Sequence, residues 1–386
     1  MRLRVLGAAT LALILAACAT PKTDGPMIPP SPVPSPIPTP SPGPRPYVPS
    51  VSFSALPGWD KEDHVAALSA FRDTCRVAKD PDTAAVCRRA RGLDRIDDST
   101  ARRFIEANFR PEAVGDPGLL TAYFAPVYEA RISRRDGFTA PVRARPDDLV
   151  MYDLSDIDPS AAPGQKLAGR MVDGKMAAYP DRAAIEASPT GVILAWMRPE
   201  DLFFLQIQGS GVLTFPDGRR KRVAFAAHNG QPFKGIARPM REQGLLKDAD
   251  TSGDSIRRWL ADHAGPEADA VMQLNPRYVF FSMADDDGTD PVGAAGVPLP
   301  AGRAIAVDNS RHAMGELFWI DADAPGLTGA FPTYRRLAVA LDTGGAIKGE
   351  VRADLYMGRG DKAGAEAGRV RHTLRMWRLV PVSGDS

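Results

Sequence analysis

The sequence predicts a mainly β protein with N-terminal helices, an α+β fold class, and three observations carry the prediction. Residues 52–113 place apolar side chains three and four apart, as at Val65, Leu68, Phe71 and Cys75, the spacing of helices with one buried face. From Gly118 the pattern changes, and GLLTAYFAPVYEARI alternates and is rich in β-formers. After DDDGTDPVG, residues 285–293, five further strand-like runs follow: RAIAVD, ELFWI, RRLAVALD, EVRADLYM and RMWRLV. The chain has 386 residues, 44% of them hydrophobic, enough for roughly two domains with sizeable cores. No tandem repeat is visible.

The first twenty residues, MRLRVLGAATLALILAACAT, combine Arg2 and Arg4 with an apolar run too short to span a bilayer, which takes about 20 residues. They fit a secretory signal. Leu15-Ala16-Ala17-Cys18 resembles the bacterial lipobox, whose cysteine is lipidated. Ala19 in place of Asp resembles an outer-membrane sorting signal of Gram-negative bacteria. Residues 21–49 then hold 13 of the 36 prolines. Such a tract favours polyproline II and builds no core; fully extended it would reach about 90 Å. The expected arrangement is a lipid anchor, a semi-rigid tether and a body facing the periplasm.

Cys75 and Cys87 lie in a helix-like region broken at Asp80-Pro81. An oxidising compartment permits a disulfide, and a helical hairpin clipped by one bridge is expected. No histidine neighbours them at zinc-ligand spacing. Residues 140–290 read as short strands between Pro, Gly and Asp loops. The densest pair of strands is expected within GVILAWMRPEDLFFLQIQGSGVLTFPDGRRKRVAFAAHNG. In that reading Gln206 and Gln208 share one strand face. Asp285-Asp286-Asp287 lacks the glycine and terminal glutamate of an EF-hand and reads as a solvated turn. The formal net charge is +1, which gives no basic surplus for nucleic acid. GRGDKAG has the wrong glycine spacing for a dinucleotide fingerprint.

Chemistry concentrates in LAVALDTGGAIKGEVRADLYMGRG, Leu337 to Gly360. Asp342-Thr343-Gly344 is an aspartic-peptidase signature. That reaction needs two carboxylates sharing a proton, hence a second Asp-Thr/Ser-Gly, which this chain lacks; the dimeric peptidases are usually far smaller. On the next run Val351, Ala353, Leu355 and Met357 form an apolar face, and Arg352, Asp354 and Tyr356 share the other. Asp308 closes RAIAVD. One such aspartate usually binds turn amides; three on β-rich segments within 47 residues weigh equally for a shared site. His228-Asn229-Gly230 reads as a turn with a structural or surface histidine. The five histidines form no metal-ligand pattern.

AIAVD, LDTGGAIKG and RADLYMGRG together resemble a three-aspartate domain. With LLTAYFAPVYEA and DLFFLQIQGSG, the chain resembles the membrane-bound lytic murein transglycosylase A family over roughly residues 110–375. The resemblance implies a double-psi β-barrel, a second β-domain inserted into it, and a groove between them. On that frame residues 1–17 are a signal peptide and 18–49 the lipidated Cys18 with its tether. Residues 50–126 begin the barrel domain, 127–287 are the insertion, and 288–386 complete the barrel. The implied reaction cleaves the MurNAc–GlcNAc β-1,4 bond of peptidoglycan and forms 1,6-anhydro-MurNAc, with no cofactor and no metal.

By motif position Asp354 corresponds to the catalytic acid, with Asp342 and Asp308 as supports. Thr121, Tyr123 and Phe124 offer a hydroxyl and aromatic faces suited to sugars; the family commonly has Tyr at both aromatic positions, so Phe124 forgoes a hydroxyl. Gln206 and Gln208 would read N-acetyl groups or hydroxyls, and Gly209 and Ser210 would let backbone approach the glycan. Lys348 and Tyr356 complete the expected substrate-binding set. If the sugar's own 6-hydroxyl attacks C1, one carboxyl group suffices where hydrolases use two. Asp354 would then need its pKa raised by burial or by Asp342, while Arg352 or Lys348 nearby would act the other way. The expected partners are glycan strands, the outer membrane through the anchor, and cell-wall synthesis or division proteins, with the chain a monomer. The competing readings are a non-catalytic peptidoglycan-binding lipoprotein and a hydrolase using Asp342 or Asp308 as base.

Overall fold

Three aspartates start three helices. The carboxylates of Asp63, Asp80 and Asp97 accept the backbone N–H of Ala66, Thr83 and Thr100 at 2.7–2.9 Å, each satisfying a donor that the first turn leaves free. The helices are α1 (His64–Thr74), α2 (Pro81–Arg91), with proline in its first turn, and α3 (Asp98–Asn108). A Cys75–Cys87 disulfide joins the turn after α1 to α2. The computed structural model describes residues 49–153, 166–187, 191–246, 250–324 and 331–382. The predicted signal peptide, Cys18 and the tether to residue 48 lie outside them. No helix among the described residues is long and apolar enough to cross a membrane.

The helical reading to residue 113 is corrected: helix ends at Asn108 and strand β1 (Phe109–Ala125) begins at once. Pro111 explains the stop, since it lacks an N–H and disfavours helical backbone at the preceding residue. There follow β2 (Val127–Glu129), β3 (Ala140–Arg143), β4 (Val150–Asp153), β5 (Lys166–Val172), β6 (Lys175–Ala178), α4 (Arg182–Ala187) and β7 (Ile193–Met197). Next come α5 (Pro199–Gln208), β8 (Ser210–Thr214), β9 (Arg220–His228), α6 (Ala237–Glu242), α7 (Gly253–Asp262), α8 (Pro266–Gln273) and β10 (Val279–Asp285). The last block is β11 (Ala304–Val307), β12 (Leu317–Asp323), β13 (Thr333–Asp342), β14 (Arg352–Arg359), α9 (Gly360–Ala367) and β15 (Arg371–Pro381). All five late runs predicted as strands are strands.

Those five strands and β1 close into one barrel, in the order β1-β14-β11-β13-β12-β15. β1 runs parallel to β14 and antiparallel to β15, and β11 runs parallel to β13. Ile305, Val307, Ala338, Ala340, Ala353 and Leu355 fill its interior. The helices seal one side, where Trp59, Leu68, Phe71 and Ile105 meet Trp319 and Leu337. Gly118 lies where β1 approaches β14 so closely that a β-carbon there would sit 1.8 Å from the Val351 carbonyl; only glycine fits.

The chain leaves the barrel after Ala125. β2, β8, β9 and β10 form a second sheet with its own core of Leu205, Leu213, Val223 and Phe281, and two small sheets accompany it. This region holds helices where only strands and loops were expected. DLFFLQIQ is helix α5: Pro199 stands in its first turn with Glu200 and Asp201, and Gly209 ends it at φ +82°. Those are helix start and stop signals. Gln206 and Gln208 therefore do not share a strand face.

In the acidic loop Asp285 and Asp287 are exposed, as a solvated turn requires, and the reading is corrected for Asp286 alone. The Asp286 side chain is 4% exposed and accepts hydrogen bonds from Arg220 (3.1 Å) and Arg359 (2.6 Å). Asp285 and Asp287 pair with Lys221 and Arg222 at the surface. The loop thus links β9 of the second sheet to the end of β14.

Candidate active site

The barrel's register assembles the aspartates. Ala306 on β11 stands opposite Asp354 of β14 on one side and opposite Asp342 of β13 on the other. Two strand spacings put their Cα atoms roughly 10 Å apart. A register shift between Ile305 and Ala306 brings Asp342 into line. Ala353 and Leu355 point into the barrel, so Asp354 between them points out. β1 lies on the far side of β14 in parallel register, with Thr121 beside Asp354 and Tyr123 beside Tyr356.

The contacts are specific. Thr121 Oγ1 donates to Asp354 Oδ1 and accepts from Arg352 Nη2 at 2.9 Å. Tyr123 donates its hydroxyl to Asp342 Oδ2 at 2.7 Å, and Asp342 Oδ1 accepts the N–H groups of Ala294 (3.0 Å) and Thr343 (2.9 Å). Asp354 and Asp342 both keep some surface open to solvent. Burial raises the pKa of Asp354, and the negative charge of Asp342 adds to it; Thr121 and Arg352 act in the opposite direction. Burial also raises Asp342, against the pull of its three hydrogen bonds. Tyr123 is held well above the usual phenol range by burial and by Asp342, so it remains a donor.

Asp308 is placed differently. It is 4% exposed and accepts Ser310 N–H (3.1 Å), Ser310 Oγ–H (2.8 Å) and Gly349 N–H (2.9 Å). Lys348 Nζ lies 3.6 Å from it. Burial pushes its pKa up, but these donors outweigh burial and hold it low. Lys348 therefore serves Asp308, and Arg352 is the cation at Asp354.

Among the remaining predicted residues, Gln206 is buried and its Nε2 donates to the Val279 carbonyl at 3.1 Å. Tyr356 is 0% exposed and donates to Asp290 at 2.9 Å. The structure thus corrects the glycan-facing expectation for both. A register shift between Tyr123 and Ala125 takes Phe124 out of the β1–β14 ladder, and its N–H donates to Gln208 Oε1 at 3.3 Å instead. The Phe124 ring lies against α9, where a β-carbon on Gly364 would approach it to 2.6 Å. Gly209 caps α5 with open space around it, and Ser210 starts β8 half-buried. His228 is half-buried and accepts the Gly230 N–H at 2.8 Å; desolvation, with the nearby Arg277 charge, lowers its pKa to about 4, so it is neutral.

Sequence reasoning missed the Ala294 amide on Asp342 and the Asp286 bridge. A backbone donor carries no side-chain signal, and the partners of Asp286 lie 66 and 73 residues away.

Residues 119–282 match the family model described as the MltA specific insert domain, and residues 303–380 match the 3D domain. The membrane-bound lytic murein transglycosylase A of Escherichia coli K12 is 31% identical over 268 residues, covering 68% of this chain and 66% of that relative's length. The crystal structure of a membrane-bound lytic murein transglycosylase from Agrobacterium tumefaciens is 35% identical, covers 86% of this chain and 97% of its own, and superposes with a TM-score of 0.75. An Escherichia coli MltA structure with bound chitohexaose is 25% identical, covers 88% and 93% of the two chains, and gives a TM-score of 0.62.

Proposed function

Because the chain belongs to the membrane-bound lytic murein transglycosylase A family, we propose that it is a peptidoglycan lytic transglycosylase with Asp354 as the single general acid and base. The observation that carries this choice is the unequal saturation of the three carboxylates. Asp342 and Asp308 each accept three hydrogen bonds from N–H or O–H donors, which favour the charged form. Among the described residues Asp354 accepts one, on Oδ1, from Thr121. Oδ2 is left to carry a proton, and burial raises the group's pKa. A raised pKa favours the protonated form that a general acid needs.

In the proposed step, protonated Asp354 gives its proton to the glycosidic oxygen as the C1–O bond breaks. The 6-hydroxyl oxygen of the same muramic acid attacks C1, and the Asp354 carboxylate takes the hydroxyl proton. The ring closes, no water is consumed, and Asp354 is again protonated. Asp342, fixed by Tyr123 and two amides, supplies negative charge facing the developing oxocarbenium ion and holds the Asp354 proton in place. The chitohexaose held by the Escherichia coli relative supports a β-1,4-linked glycan as ligand. Cys18 as the lipid-anchor site and an outer-membrane location facing the periplasm belong to the same proposal. Peptidoglycan synthesis or division proteins are the proposed partners.

The test is mass spectrometry of soluble products from isolated sacculi. The expected products end in 1,6-anhydro-MurNAc, one water lighter than reducing ends. Asp354→Asn is expected to lower the rate at least about a hundredfold while sacculus binding survives. Reducing-end products would establish a hydrolase, and release by Asp354→Asn at the wild-type rate would remove Asp354 from the role.

A further inference from the structure

Arg277, in the loop between α8 and β10, is a half-buried guanidinium that forms no ion pair among the described residues. Among the described residues its side chain makes one hydrogen bond, from Nη1 to the Gln231 carbonyl at 3.2 Å. It faces the barrel: a β-carbon built on Gly345 would lie 3.8 Å from its central carbon and 3.9 Å from Nη1. Gly345 is three residues beyond Asp342, a chain reach of roughly 10 Å between their Cα atoms, so the guanidinium packs against the turn that follows Asp342. Burial lowers the pKa of Arg277, and the neighbouring His228 is neutral. A desolvated cation without a counter-charge is costly unless something supplies one.

The position is built. Asn275 is 2% exposed, and its Oδ1 accepts the backbone N–H of both Arg277 (3.3 Å) and Lys234 (3.1 Å). One buried amide therefore fixes two cationic residues side by side, with Lys234 exposed and without an acidic partner among the described residues. Asp354 and Asp342 lie on the barrel, and these cations lie on the inserted region opposite the Thr343–Gly345 turn.

The geometry points to Arg277 as a carboxylate subsite that binds the peptide stems of the glycan, with Lys234 at its rim, an inference that rests on the glycan-cleaving reading above. Arginine suits this role because its planar fork matches a carboxylate in two parallel hydrogen bonds. The glycan itself, once its lactyl group is amide-linked to a stem, is neutral, so the anions nearby are the stem carboxylates. Arg277 thereby distinguishes peptide-bearing strands from bare ones.

The experiment compares wild type, Arg277→Lys and Arg277→Gln on soluble peptide-bearing glycan strands and on the same strands after carbodiimide amidation of their carboxylates. For Arg277→Gln on unmodified strands, KM is expected to rise about tenfold, with kcat nearly unchanged. Arg277→Lys should recover part of the loss, and on amidated strands all three proteins should share the higher KM. An equal rise on both substrates, or a fall in kcat that tracks a lowered Tm, would overturn the subsite and leave a structural residue. Failure of the wild type to form anhydro ends would overturn the reaction instead. Direct binding of the two strand preparations to wild type and Arg277→Gln would then still decide the subsite, since preference for the unmodified strands must vanish in the variant.

Discussion

Asp308, Asp342 and Asp354 look alike along the chain and differ in what their neighbours leave unpaired. Asp308 holds a turn and Asp342 is fixed from three directions, while Asp354 keeps one oxygen without a partner among the described residues. An acid catalyst works while protonated, so activity should be full below the raised pKa of Asp354 and fall as pH rises through it. Arg352→Gln removes the cation that opposes protonation and should move that alkaline limb to higher pH. Asp342→Asn removes a like charge and should move it to lower pH. Profiles of kcat against pH measure both; if neither limb moves, Asp354 is not the group titrating. Stability should share the sign, because the charged form of a buried acid with a raised pKa is disfavoured in the fold and weakens it as pH rises.

Elements with a strong local period were readable, and those defined by their ends were not read. Val65, Leu68 and Phe71 announced α1, and RRLAVALD and EVRADLYM announced β13 and β14. DLFFLQIQ is apolar enough to pass for a strand, and its identity as α5 rests on Pro199, Glu200, Asp201 and Gly209 at its ends. Those signals were present in the sequence but were outweighed by the short apolar run. The α1–α2 hairpin supports a test at this scale. The Cys75–Cys87 bridge closes a loop with a sequence separation of 12, so replacing both cysteines by serine should cost about 3 kcal/mol in urea unfolding on the chain-entropy account. An unchanged midpoint would mean that the packing of Phe71, Val86 and Ala90 holds the hairpin unaided.

At the scale of the whole molecule, Asp286 ties the inserted region to the barrel through Arg220 of β9 and Arg359 of β14. Burial raises its pKa, but hydrogen bonds from Arg359 and Arg220 outweigh burial and lower it. Its contribution to stability should therefore be present above the ordinary carboxylate range and be lost as pH falls through the lowered value. Asp286→Asn should cost about 1–3 kcal/mol near neutral pH, and the difference from wild type should shrink in acid. A pH-independent difference would make the contact one of shape alone. The sequence by itself determined the order of helical and β-rich blocks, the hairpin cysteines and the three aspartates on strand-like runs, because each is written in spacing along the chain. The tertiary structure decided which aspartate keeps an oxygen without a partner among the described residues, that Gln206 and Tyr356 face inward, and that Arg277 meets the turn beside Asp342. Those outcomes depend on contacts such as Thr121 with Asp354, 233 residues apart, and barrel closure and strand register set them where no local pattern can.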